Sequence, residues 1–144
     1  MATTMNTAQR AQPQLGTVVL RSLVVVLALA TAAIHASLGG LLFMANAVGY
    51  TTLAVAMIVP GRLGQVRWLV RLALIGFTAA TIGGWMLFGT RFPLAYLDKG
   101  IEVVLIAVVA IELWRSDGGP FGAIRQARRL AGRLVVTQRV RSPR

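Results

Sequence analysis

The chain has a single histidine, His35, set in the apolar run "TAAIHASLGG", and it has no cysteine. Thiolate chemistry and disulfides are therefore excluded, and the paired spacings of a histidine metal enzyme, H-E-x-x-H or E-x-x-H, are absent. Three of the four acidic residues lie in one stretch, "YLDKGIEVVLIAVVAIELWR". Asp98 and Glu102 are four apart, and helical spacing through Leu105 and Val109 leads on to Glu112. One stripe of one helix thus carries all three acids. A charged group at the centre of a bilayer costs about 2.5–3.5 kcal/mol on insertion scales, so such a stripe must turn inward and find partners.

Depth along the helices assigns those partners. Glu102 falls at the level of His35 near one end, and Glu112 falls at the level of Arg71 near the other. The spacing predicts an outer polar cluster of His35, Asp98 and Glu102, joined by Asn46 and Tyr50. It also predicts an inner ion pair of Glu112 with Arg71 or Arg115. An imidazole beside a buried carboxylate can relay a proton, hold a cation or bind a polar head group. A clamp is the simpler reading: His35 and Glu102 hydrogen-bond across helices, while Asp98 favours the positive end of its own helix. Interhelical bonds of this kind are common although each contributes only ~0.6 kcal/mol on average, and the clamp is preferred. No nucleophile elbow, phosphate-binding loop or dinucleotide fingerprint accompanies these residues, and the glycines of "IGGW" follow no strand. The residues therefore read as a protein that is not an enzyme and holds no metal or cofactor.

The elements that carry these side chains follow from composition. The chain is 56% hydrophobic over 144 residues, more apolar surface than a soluble domain of this size can bury. Four stretches, about 18–37, 40–59, 68–89 and 96–114, approach or exceed the roughly 18 apolar residues that span a bilayer. "SLGG" and "TRFPLAYLDKG" are the short outer links, Pro60-Gly61 stops the second helix, and Pro93 precedes the fourth. The fold class is all-α: a polytopic four-helix up-down transmembrane bundle at 17–115, between a polar, disordered segment at 1–16 and a basic amphipathic tail at 116–144. "VVVLALATAAIHA" could pass for the core of a cleaved signal peptide, but the whole apolar stretch at about 18–37 is long for one and contains Arg21, so it is read as a span.

The net charge of +11 would point to nucleic acid in a soluble protein; here it has to be read by position. Thirteen of the fifteen basic residues precede or open the first span, sit between the second and third or at the start of the third, or follow the fourth, leaving only Arg91 and Lys99 opposite. By the positive-inside rule the protein is a multi-pass protein of the cell membrane with both termini cytoplasmic. In the tail, Arg125, Arg129 and Arg133 recur every four residues opposite an apolar face, with Arg128 beside them. That pattern predicts a helix lying on anionic lipid head groups, and no motif supports nucleic acid as the partner. Trp68, Trp85, Trp114 and Tyr96 fall near the expected interfaces and fit an aromatic belt.

Small residues four apart predict close helix contacts: Ala28, Ala32 and Ala36 in the first span, Gly76, Ala80 and Gly84 in the third. Such seams serve contacts within the chain, with another membrane protein or in a homo-oligomer. The runs "AIHASLGGLLFMANAVGY" and "LIGFTAATIGGWMLFGTRFPLAYLDKGIEVVLIAVV" resemble a set of small prokaryotic four-transmembrane-helix proteins over residues 18–114. The shared features are His35 with a following glycine, Gly49-Tyr50 after Asn46, and Leu97-Asp98-Lys99. The resemblance implies the architecture and adds no reaction. Three functions are compatible with these features. The preferred one is an accessory or scaffolding subunit that packs against other membrane proteins through its small-residue seams. The others are a small oligomeric transporter or channel, and a cofactor- or ion-binding protein using His35 and Glu102. Polar groups gathered at the two ends, with apolar residues between, disfavour a continuous transport route.

Overall fold

A computed structural model describes residues 15–60 and 66–117, with Gly122 and Arg125. These residues form four long helices: α1 at Leu15–Leu38, α2 at Leu41–Ile58, α3 at Arg67–Phe88 and α4 at Pro93–Asp117. Three of them, α1 to α3, are long and apolar enough to cross a membrane. The fourth is long enough but more charged, because it carries Asp98, Lys99, Glu102, Glu112 and Arg115.

Local chemistry places each helix end. Gly39 and Gly40 connect α1 to α2 with φ of +68° and +83°, a backbone conformation that side chains with a Cβ strongly disfavour. Pro60 ends α2 by holding Val59 in extended backbone. Pro93 opens α4, where the missing amide proton would have had no helical partner in any case. The link between α3 and α4 is therefore only residues 89–92, shorter than "TRFPLAYLDKG" predicts, and Asp98 lies beyond the first turn of α4 instead of at its positive end.

The helices pack in a ring. α1 touches α2 and α4, and α3 touches the same two, so α2 and α4 face each other across the middle. Each buries one stripe at helical spacing. α1 contributes Val24, Ala28, Thr31, Ala32 and His35, α2 contributes Ala47, Tyr50, Ala54 and Met57, and α3 contributes Trp68, Arg71, Leu74 and Thr78. On α4 the acidic stripe is the buried one, from Asp98 and Glu102 through Leu105 and Val109 to Glu112. Apolar side chains fill the centre between the two polar ends, with Val24, Met57, Leu74, Leu105 and Val109 all fully buried.

Two expectations need correcting. On α1, Ala28 and Ala32 are buried but Ala36 is exposed; on α3, Gly76, Ala80 and Gly84 are all exposed. A Cβ added at Gly76 or Gly84 would meet nothing within 4 Å, so this stripe joins no helix contact among the described residues. The close approach falls at Gly49 instead, where a Cβ would lie 2.5 Å from the end of the Phe77 ring and would force that ring to move. Trp68 is buried against Leu113 and Ile75, unlike a belt residue, whereas Trp114 and Tyr96 are exposed. Arg125 is helical and exposed; the N-terminal segment at 1–14, Arg128, Arg129, Arg133 and the rest of the amphipathic tail lie outside the described residues.

The α1–α2 connection gives a direct test of these constraints. Gly40→Ala is expected to destabilise the protein by about 1–3 kcal/mol, because its φ and ψ fall in a region reserved for glycine. Gly100→Ala, on an exposed helical face with open space around it, is expected to be neutral or slightly stabilising. Thermal unfolding of the two variants in one detergent measures the difference.

Candidate functional site

Position on α4 creates the outer cluster. Asp98 and Glu102 share a face, and Lys99 between them folds back onto both. Its Nζ lies 3.0 Å from Asp98 Oδ2 and 2.5 Å from Glu102 Oε2, tying the two carboxylates together. The remaining carboxylate oxygens turn toward other helices. Thr31 of α1 donates its hydroxyl proton to Asp98 Oδ1. Tyr50 of α2 donates to Glu102 Oε1 at 2.9 Å across the middle of the ring. Thr81 of α3 lies 3.0 Å from the same oxygen and 2.8 Å from the Tyr50 hydroxyl, so all four helices contribute. Burial is nearly complete: Asp98 is 2% exposed and Glu102 0%, which makes these bonds obligatory replacements for water.

His35 closes the cluster from α1. Its Nδ1 donates to the Thr31 carbonyl oxygen at 2.9 Å, since that oxygen can only accept, and lies 3.7 Å from Asp98 Oδ1. Nε2 is then left facing Glu102 Oε1 at 3.9 Å. The ring stacks obliquely on Tyr50 and Phe43, with centroids 5.7 and 6.0 Å away. One oxygen each from Asp98 and Glu102, with a nitrogen of His35, lie within 4.8 Å of one another, a spacing from which a cation could be held. Of the predicted outer residues, His35, Asp98, Glu102 and Tyr50 meet here. Asn46 borders the adjoining cavity without a hydrogen bond into the cluster. Thr31, Thr81 and Lys99 were missed from the sequence; the position of Lys99, next to Asp98 and three before Glu102, was the available signal.

Above the cluster, toward the outer end, lies a cavity of about 470 Å³. It opens between the N-terminal half of α2 and the C-terminal half of α3, the two neighbours with the sparsest contact, and the 89–92 link closes its rim. His35, Asp98, Lys99 and Thr81 supply its polar lining; Phe43, Phe77, Trp85, Phe88 and Phe92 supply aromatic walls. Ala80 and Gly84 also line it, so the small residues of α3 make room for the cavity instead of for a helix. Trp85 is held at the rim by Nε1 donating to the Thr90 carbonyl at 3.1 Å and by an edge-on contact with Tyr96 at 5.3 Å.

At the other end Glu112, fully buried, accepts on Oε1 from Arg71 Nη2 at 2.8 Å and from Arg21 Nε at 3.4 Å. Arg71 is the predicted partner; Arg115 is exposed and makes no bond to Glu112 among those described, and Arg21 of α1 takes the second place. Three helices are thereby joined through one carboxylate. Glu112 Oε2 is buried without a hydrogen-bond partner among the described residues.

No protein-family model matches the chain, and neither does any curated protein or solved structure.

Removing one side of a buried ion pair strands the other charge, whereas replacing both with apolar groups does not. Glu112→Leu alone is therefore expected to destabilise the protein by about 3–5 kcal/mol, and adding Arg71→Met is expected to recover a large part of that loss. Chemical unfolding of the two single variants and the double variant measures the coupling.

Proposed function

We propose that the chain is a multi-pass membrane protein, a four-helix bundle with both termini on the cytoplasmic side, whose outer cavity binds a small amphipathic molecule. One observation carries the reading: an aromatic-walled space of about 470 Å³ ends on a buried, hydrogen-bonded set of ionisable side chains. Ligand sites are typically concave, mostly apolar and supplied with a few convergent polar groups, and cavities of some 300–1,000 Å³ are the usual size. A structural clamp alone does not call for an opening beside it. Two helices that only needed to be held together would close over Ala80 and Gly84, as small-residue seams do. Here Phe77 and Trp85 both line an open space instead, with Asp98, Lys99 and His35 in its polar lining.

In this reading the apolar part of the ligand lies against Phe43, Phe77 and Trp85, and its head reaches Asp98, Lys99 and His35. The clamp and the binding site are then the same residues: the bonds that join the four helices also hold the polar lining rigid. The interior between Glu102 and Glu112 is apolar, which supports binding over conduction along the helix axis. The scaffolding reading drew on the small-residue seams of α1 and α3, and in the α3 seam Ala80 and Gly84 border the cavity. The charge distribution and the three apolar helices support the membrane setting and its orientation, while Arg125 and the basic residues that follow it suit anionic lipid on the cytoplasmic face.

Two experiments test the proposal. Protein extracted gently from its own membrane is expected to carry a bound small molecule in native mass spectrometry, and Ala80→Trp, which fills the cavity, is expected to lose it while remaining folded. Equal ligand retention in that variant would place binding elsewhere. For topology, the absence of natural cysteine allows single labels. Thr90→Cys is expected to react with a membrane-impermeant maleimide in intact cells, and Ser116→Cys only after permeabilisation.

A further inference from the structure

The cavity reading leaves the chemistry of the ligand open, and the charges around it narrow the choice. Asp98 and Glu102 bring two negative charges to the cluster, and Lys99 brings one positive charge. Glu102 Oε1 accepts from Tyr50 and lies within reach of the Thr81 hydroxyl, and Asp98 Oδ1 accepts from Thr31. Counted by formal charge, these two carboxylates and Lys99 leave one negative charge unmatched in the buried cluster. Of the two carboxylates, Asp98 lines the cavity, so a cation entering it meets that charge. A buried unpaired charge is strongly unfavourable, so the site favours whatever supplies one positive charge.

We infer that the cavity takes a lipophilic organic cation, a protonated amine on an apolar, ring-containing body; this inference rests on the cavity reading above. Lys99 already shows the recognition mode. Its ammonium is a primary amine tethered inside the site, bonded to both carboxylates, and an incoming amine makes the same kind of contact with Asp98 from the cavity side. The walls suit the same charge, since Phe77 and Trp85 present aromatic surface and cations bind favourably to aromatic faces, most strongly to tryptophan. A divalent metal ion fits less well. Held by His35, Asp98 and Glu102 with Lys99 in place, it would turn a deficit of one positive charge into an excess of one. It would also leave the aromatic walls without a role.

Naphthylethylamine, naphthylethanol and naphthylacetate share a ring system of one size and differ in charge. Their binding to the full chain in nanodiscs, with Ala80→Trp as the reference for partition into lipid, separates the two levels of the argument. The amine is expected to bind the wild-type protein at least about tenfold more tightly than the alcohol, and the carboxylate more weakly than either. Asp98→Asn is expected to remove the preference for the amine, and Lys99→Gln to increase it. Saturable binding of the alcohol or the carboxylate as tight as that of the amine would overturn the charge inference and leave the cavity reading standing. That would also be the result if a proton on His35 already supplied the missing charge. If none of the three binds more tightly to the wild type than to Ala80→Trp, the cavity reading fails with it. The wild-type comparison holds even if a substituted protein does not fold.

Discussion

An ionised carboxylate on a helix surrounded by apolar surface has only one stable orientation, and this molecule contains three such carboxylates on one stripe. Asp98, Glu102 and Glu112 cannot face hydrocarbon without large loss, so α4 must present them to the other helices. Those helices must in turn present donors at two depths. Thr31, Tyr50 and Thr81 do so at one end, where Lys99 of α4 itself joins them, and Arg21 and Arg71 do so at the other. The order of helices around the ring, their register and the direction of each buried face satisfy that requirement. The apolar interior between the two levels is then the space left over, filled by leucine, valine, methionine and alanine.

The outer end differs from the inner end in what lies beside it. At the inner end the arginines reach Glu112 from α1 and α3, and Trp68 seals against Leu113. At the outer end α2 and α3 separate. Gly49 lets Phe77 lie directly on α2, and above that contact the small residues Ala80 and Gly84 leave the space unfilled. The hydrogen bond from Tyr50 to Glu102 crosses beneath the opening and keeps α2 tied to α4. A rigid polar lining and an open aromatic mouth thus follow from the same few residues, and a binding site needs that combination.

Much of the fold can be read directly from the residues. Four helices follow from four apolar runs with proline and glycine at their ends, and the inward stripe of α4 follows from five positions at helical spacing and the expense of exposing acids to lipid. The meeting of His35, Tyr50, Asp98 and Glu102 follows from depth. The parts that were not legible share a physical cause. Hydroxyl residues such as Thr31 and Thr81 are common in apolar helices, and only geometry separates a donor to a carboxylate from a bystander. Arg21 read as a charge flanking the first span, because its reach to Glu112 depends on how α1 packs against α4. The Gly76, Ala80 and Gly84 stripe carries the same signal whether it admits a helix or borders a cavity. The cavity itself arises from a separation of two helices that no local pattern encodes.

Direct observation of the cavity in the intact protein tests this account most sharply. A cryo-electron microscopy structure of the chain isolated with its own lipids would resolve the space between Phe77 and Trp85. The account predicts density for a discrete molecule there, with its polar end in contact with Asp98 and the opening between α2 and α3 preserved. Closure of α3 onto α2 over Ala80 and Gly84, with Phe77 and Trp85 in contact and no space beneath them, would contradict it and leave the buried cluster as a clamp alone.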